Sequence, residues 1–206
     1  MSETKTRDLM VELAASMYAR GLTFGASGNL SVKVDGGWLM TPTDSSMGTL
    51  DPARLSLLDE AGNLVSGDPP TKESVLHMAV YGERPKTGAV VHLHSTHSVA
   101  VSCLADIDCE DVLPPITAYY VMKVGKLPLL PYFAPGAPEL ADAVRVAAAN
   151  HHAVLLANHG PVVAGKSLRD AVYATEELEE TAKLFLLLRG SQTRFLTPIE
   201  VAALCK

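Results

Sequence analysis

The run Val90-Val91-His92-Leu93-His94 limits what this chain can become. An apolar segment, 88–91, leads into two histidines one residue apart. In an extended chain alternate side chains share a face, so His92 and His94 point the same way, about 6–7 Å apart along the strand. Two imidazoles so placed can share a metal ion, but two ligands make a weak site. Leu155-Leu156-Ala157-Asn158-His159-Gly160-Pro161 supplies a third, because an apolar strand there runs into a turn that holds His159 in place. Three neutral imidazoles with coordination positions left open describe a catalytic rather than a structural metal site.

The bulk of the sequence sets limits on everything else. The chain has 206 residues, 48% of them hydrophobic, which is enough for a full core and predicts a single domain over 1–206. The net charge of −6 argues against a nucleic-acid partner, which needs a basic stripe. An anionic substrate has to be met by local positive charge. Cys103, Cys109 and Cys205 lack metal-type spacing, and no signal peptide is evident, so a reducing cytoplasm and no disulfides are expected. No apolar run reaches about 18 residues, so no membrane span is expected.

Taken in order, 4–20 reads as an amphipathic helix with Leu9, Met10, Leu13 and Met17 on one face and Gly21 as its stop. Gly25-Ala26-Ser27-Gly28-Asn29 is a tight loop, either an ordinary turn or an anion-holding nest of backbone N–H groups. Strands at 30–34 and 38–41 flank the hairpin signal Asp35-Gly36-Gly37, and 55–58 and 64–65 form a second hairpin. The hydroxyl-rich loop 41–48 suits either phosphate or solvent. Thr71 then opens a helix whose first turn holds Lys72 and Glu73, with Val75, Leu76, Ala79 and Val80 inward. That turn is a further candidate anion site. Helices follow at 96–104, 138–150 and 168–188, with strands at 127–132 and 153–157. Glu176, Glu177, Glu179 and Glu180 fall on the wet side of the long helix. A last helix, 197–204, has Thr197 as N-cap, Pro198 at its first position and Glu200 completing a capping box. Mixed strands and helices with several hairpins predict a largely antiparallel sheet covered by helices.

Of the seven histidines, His77, His151 and His152 read as surface or satisfied core residues, and His97 lies past the strand end. A three-histidine metal can polarise a carbonyl or hold an enediolate. Such chemistry needs a proton carrier on carbon, and Glu73, beside Thr71 and Lys72, is the best-placed carboxylate.

Gly28-Asn29-Leu30-Ser31, Thr41-Pro42-Thr43, Thr71-Lys72-Glu73, His92-Leu93-His94-Ser95 and Asn158-His159-Gly160 occur in the order and spacing of the class II aldolase/adducin family, which the chain resembles over essentially its whole length. The resemblance implies an α/β fold, a three-layer α/β/α sandwich around a mainly antiparallel central sheet, assembled as a homotetramer with sites between subunits. It implies Zn²⁺ on His92, His94 and His159, with Glu73 as acid/base residue and as a further ligand when substrate is absent. It implies phosphate against Asn29, Thr43, Thr71 and Lys72, and a proton-donating tyrosine from a neighbouring subunit, Tyr119 first and Tyr120 next. Leu50-Asp51-Pro52, Ser66-Gly67-Asp68, Tyr120-Val121-Met122-Lys123-Val124-Gly125 and Glu176-Glu177-Leu178-Glu179-Glu180 are similar to members that decarboxylate a 3-oxo-tetronate 4-phosphate to dihydroxyacetone phosphate. The alternative within the family is an aldolase of the fuculose 1-phosphate type. An adducin-like scaffold is disfavoured because every metal and acid/base position is filled. Two departures stand out: Asp44 replaces a glycine common in the family, and Lys72 replaces a serine, which favours an acid-sugar substrate.

Overall fold

The computed structural model describes residues 2–134 and 137–204. Among the described residues eight strands form one sheet: β1 (Asn29–Val34), β2 (Gly37–Met40), β3 (Ser56–Asp59), β4 (Leu64–Ser66), β5 (Ala89–His92), β6 (Leu129–Leu130), β7 (Ala153–Leu156) and β8 (Gly160–Gly165). Their order is β4-β3-β2-β1-β5-β8-β7-β6, and every pair except β6–β7 is antiparallel. Among the same residues seven α-helices cover it: α1 (Glu3–Ala19), α2 (Ser74–Glu83), α3 (Thr96–Ser102), α4 (Ala118–Lys123), α5 (Pro138–Ala148), α6 (Leu168–Leu188) and α7 (Pro198–Leu204).

The two-residue period of the strands divides the core into layers. Val90 of β5, Val154 and Leu156 of β7, and Val162 and Ala164 of β8 face Leu76 and Val80 of α2 and Leu140 and Val144 of α5. Their neighbours Ala89 and Val91 face Met10, Leu13 and Met17 of α1 and Val172 of α6. Ala153, Leu155 and Val163 meet Val101, Tyr120 and Leu178 of α3, α4 and α6. The central strands β5 and β7 are buried at every position, so both read as unbroken apolar runs rather than alternating ones. The edge strand β4 is exposed throughout. This is the expected three-layer arrangement around a mainly antiparallel sheet.

Several local expectations need correction. Glu73 is the N-cap of α2, so Thr71-Lys72-Glu73 forms the turn before the helix rather than its first turn. The three-residue shift leaves Val75 exposed, while Leu76, Ala79 and Val80 stay inward. The strand expected over 127–132 shrinks to β6, because Pro128 and Pro131 flank it and remove ladder donors. The Gly160-Pro161 segment, read as a turn, begins the central strand β8. Cys103 and Cys109 are free thiols, and Cys205 lies outside the described residues. Among the described residues no helix is long and apolar enough to cross a membrane.

Glu179 is the clearest departure. It is buried rather than on the wet side of α6. Its Oε2 accepts from the Ser98 amide at 2.9 Å and the Ser98 hydroxyl at 2.7 Å, and its Oε1 from the His97 amide and Nδ1, both at 2.8 Å. The carboxylate therefore caps the start of α3 from another helix and fixes the chain just past His94. Burial opposes its charge, but the Ser98 hydroxyl and the His97 and Ser98 amides outweigh that and hold it below the usual carboxylate range. Glu179→Gln should destabilise the protein by about 2–3 kcal/mol in urea titrations at pH 7, since it weakens charge-assisted bonds to buried donors. A depressed folded pKa stabilises above the unfolded value and ceases to do so below the folded one. The gap between wild type and variant should therefore be full above about pH 5 and close as the pH falls further.

Candidate metal centre

β5 and β8 bring the three histidines together from opposite directions. His92 ends β5, His94 follows two residues later, and His159 stands in the short loop between β7 and β8. The His92–His94 and His94–His159 Nε2 pairs are each 3.1 Å apart, and the His92–His159 pair is 3.3 Å apart. Glu73 closes the fourth side, with Oε2 at 3.4 Å from His92 Nε2 and Oε1 at 3.2 Å from His159 Nε2. All four ligand atoms lie within 4.8 Å of one another.

The loop geometry depends on glycine at two points. Gly160 has φ +155°, and a Cβ there would stand 2.1 Å from the Leu93 carbonyl oxygen. That close approach seats His159 beside His94. Gly28, at φ +76°, lets the turn before β1 press against the His92 carbonyl, where a Cβ would sit at 3.0 Å. Asn158 supplies the tight turn from β7 with φ +54°, a conformation asparagine tolerates.

The protonation states suit a cation. His92 Nδ1 lies 2.8 Å from the Pro161 carbonyl oxygen. A carbonyl only accepts, so Nδ1 carries the proton and Nε2 presents its lone pair to the cluster. Burial, reinforced by His92 and His159, pushes His94 down to about 4, so it is a neutral ligand at pH 7. Burial works against ionised Glu73, yet positive charge on the Nε2 side of His159 and His92, whether a ring proton or the ion that replaces it, and the Asn29 amide hold its carboxyl far below the usual range. Lone pairs crowded this closely repel unless a positive charge lies between them. A tetrahedral ion with metal–nitrogen bonds of about 2.0–2.1 Å spaces its ligands about 3.3 Å apart, close to the separations found. The donor set fits a divalent metal.

The other expected residues divide into groups. Asn29 is buried, and its Nδ2 donates to Glu73 Oε2 at 2.7 Å. Thr71 Oγ1 accepts from the Glu73 amide at 3.2 Å, and the Thr71 amide donates to the Thr41 carbonyl at 3.1 Å. The Thr43 amide donates to the Pro69 carbonyl at 2.9 Å, so the 41–43 and 69–71 segments run side by side. Lys72 is exposed beside them. Asp44 is exposed with φ +54°, a left-handed backbone that aspartate tolerates where most side chains strain. Tyr119 is 64% exposed on α4 and stands outside the hydrogen-bonded set, whereas Tyr120 is buried in the core with its hydroxyl unpartnered among the described residues. His97 binds Glu179 and takes no part in the cluster. Two residues had their roles hidden in the sequence. His77 and Tyr81 stand four and eight positions after Glu73, one helical stripe aimed at Asn29 and Ser31 of β1, and that spacing was the available signal.

Residues 8–186 match the model of the family described as Class II Aldolase and Adducin N-terminal domain. A protein of Haemophilus influenzae named 3-oxo-tetronate 4-phosphate decarboxylase is 50% identical over 202 residues, covering 98% of this chain and 96% of that one. The L-fuculose phosphate aldolase of Escherichia coli K12 is 33% identical over 188 residues, covering 90% of this chain and 85% of that one. The crystal structure of YgbL from Escherichia coli superposes with a TM-score of 0.97 at 46% identity, covering 99% of both chains.

Purified protein should take up one divalent ion per chain by elemental analysis. His94→Ala should leave it well below stoichiometric, and Gly160→Ala should do the same without touching a ligand, because its Cβ displaces the Leu93 carbonyl. Near-complete metal loading in the Gly160 variant would show that the loop contact does not set the site.

Proposed function

The chain belongs to the class II aldolase and adducin family, and from that premise we propose that it is a carboxy-lyase converting a 3-oxo-tetronate 4-phosphate into dihydroxyacetone phosphate and CO₂. The observation that carries the reading is the Glu73–His92–His94–His159 cluster in a chain about half identical to proteins named for that reaction. The aldolases that match are far less similar, at 33% identity.

A divalent ion on His92, His94 and His159, zinc in this proposal, supplies Lewis acidity where negative charge develops next to the substrate carbonyl. The substrate is a β-keto acid, so the bond to CO₂ breaks with its electron pair passing into the C2–C3 enediolate. Glu73 would be a further ligand of that ion when substrate is absent. With substrate bound, its carboxylate would take a proton from water and pass it to C2, the one proton the reaction consumes. Asn29 keeps one carboxylate oxygen of Glu73 oriented. Thr43, Thr71 and Lys72 line the adjacent segments and bind the phosphate, with Lys72 adding the charge that a substrate bearing both a phosphate and a carboxylate requires in a chain of net charge −6.

Tyr119 serves the site of a neighbouring subunit. Its 64% exposure on α4 supports this, as does the burial of Tyr120. Two hollows of about 600 and 720 Å³ lie at the far end of β5 and β8, beside Lys86 and Lys166, so the metal cluster does not occupy either of them. A site completed by a second subunit accounts for that. The assembly is a homotetramer of single-domain chains working in the cytoplasm on sugar-acid breakdown.

The zinc-loaded protein should release CO₂ and dihydroxyacetone phosphate in equal amounts from the keto-acid phosphate. Cleavage of a ketose 1-phosphate with no CO₂ from the keto acid would reassign it to the aldolases. Glu73→Gln should lower kcat by about 10²–10⁴-fold, the range for loss of a proton carrier. Tyr119→Phe should lower kcat with bound metal unchanged.

A further inference from the structure

We propose that His77 is a positioning residue that sets the orientation of the Glu73 carboxylate through Asn29, as the central link of a one-way hydrogen-bond chain beginning at Tyr81. The geometry admits a single direction of donation. Asn29 Nδ2 lies 2.7 Å from Glu73 Oε2, Asn29 Oδ1 lies 2.6 Å from His77 Nε2, His77 Nδ1 lies 2.7 Å from Ser31 Oγ, and Ser31 Oγ lies 2.9 Å from the Tyr81 hydroxyl.

Asn29 presents its NH₂ to Glu73 Oε2 and its carbonyl oxygen to His77 Nε2. That carbonyl only accepts, so His77 carries its proton on Nε2. A neutral imidazole then accepts at Nδ1, so the Ser31 hydroxyl donates there and the Tyr81 hydroxyl donates to Ser31. His77 is fully buried, and that burial pushes it down to about 3, which keeps the ring neutral. Reversing any member would set the Asn29 carbonyl against the Glu73 carboxylate, two acceptors face to face.

The chain is built into the β1–α2 interface. Asn29 and Ser31 share one face of β1, and Glu73, His77 and Tyr81 repeat every four residues along the start and body of α2. A core that needed only volume at position 77 would be served as well by an apolar residue. The arrangement instead ends on the proton carrier. Rotation of the Glu73 carboxylate costs it the Asn29 bond, and Asn29 cannot follow without abandoning His77. The inference rests on Glu73 as the proton-transfer group.

The test has one arm that needs no substrate. In protein with ¹⁵N-labelled histidine, metal-free and zinc-loaded, His77 should appear as the Nε2–H tautomer in both states, assigned by its disappearance in His77→Asn. The Nδ1–H tautomer would overturn the proposal whatever the reaction proves to be. The second arm compares two amides. Glutamine places its NH₂ near the Nε2 position and keeps the donor to Asn29, whereas asparagine reaches only the Ser31 side. His77→Asn should lower kcat about 10–100-fold with KM and bound metal unchanged, the range for outer-layer partners of a metal site. His77→Gln should recover most of that loss. Equal losses in both variants, or losses that track melting temperature or metal content, would reduce His77 to a structural residue. Wild-type protein that releases no CO₂ would overturn the decarboxylase reading and leave the tautomer to decide this one.

Discussion

Three imidazole nitrogens within 3.1–3.3 Å of one another are a demand as much as an arrangement. Neutral rings that aim lone pairs at a common point repel, and protonated rings repel more. The fold accepts that cost because the rings are not free to turn away. The Pro161 carbonyl fixes His92 at Nδ1 and also accepts the Leu93 amide at 3.3 Å, so one backbone oxygen sets both the ring and the strand that bears it. Gly160 allows the β7–β8 loop to lie against Leu93, and Glu179 anchors the helix that follows His94. The Pro161 contact grips a ligand's ring, whereas Gly160 and Glu179 act on the backbone beside the ligands.

The same geometry explains why Glu73 enters from the start of α2. The alternation along β5 sends Val90 and His92 to the α2–α5 side, and Ala89 and Val91 to the α1–α6 side. His92 therefore faces the start of α2, where Glu73 is the last residue before the helix. Free of helical geometry, it can bend toward the rings while His77 and Tyr81, one and two turns on, reach β1 beneath it. The polar chain follows the boundary between sheet and helix, where paired side chains stay buried with every member hydrogen bonded.

Much of this was legible in the sequence where the physics is local. The pair His92 and His94 follows from the two-residue strand period, the third ligand from an apolar run stopping at His159, and the last helix from Thr197 and Glu200, which form the expected capping box at 2.7–3.3 Å. What was hidden depends on contacts between distant segments. Glu179 looks solvated among four glutamates, and only the approach of α3, about 80 positions away, makes it a buried cap. Gly160-Pro161 carries turn residues, yet pairing with β5 and β7 makes it central strand. His77 reads correctly as a satisfied core histidine, but satisfaction alone says nothing about what lies at the other end of the bond.

Metal and Glu73 together cannot separate a decarboxylase from an aldolase. Both reactions break a bond next to a carbonyl and leave their electrons in an enediolate, so both need a cation near the oxygens and a proton carrier near the carbon. They differ in the group that leaves: uncharged CO₂ from a carboxylate in one case, an aldehyde in the other. Selectivity therefore belongs to residues outside the cluster that meet the carboxylate before it departs. Lys72, exposed one position before Glu73, is the nearest added cation in the sequence, and Asp44 stands exposed in the loop beside the neighbouring segment. A positive group next to the proton carrier favours binding of a second anion, while it also stabilises the carboxylate against loss of CO₂. The lysine is therefore better suited to selecting the acid sugar than to speeding its breakdown.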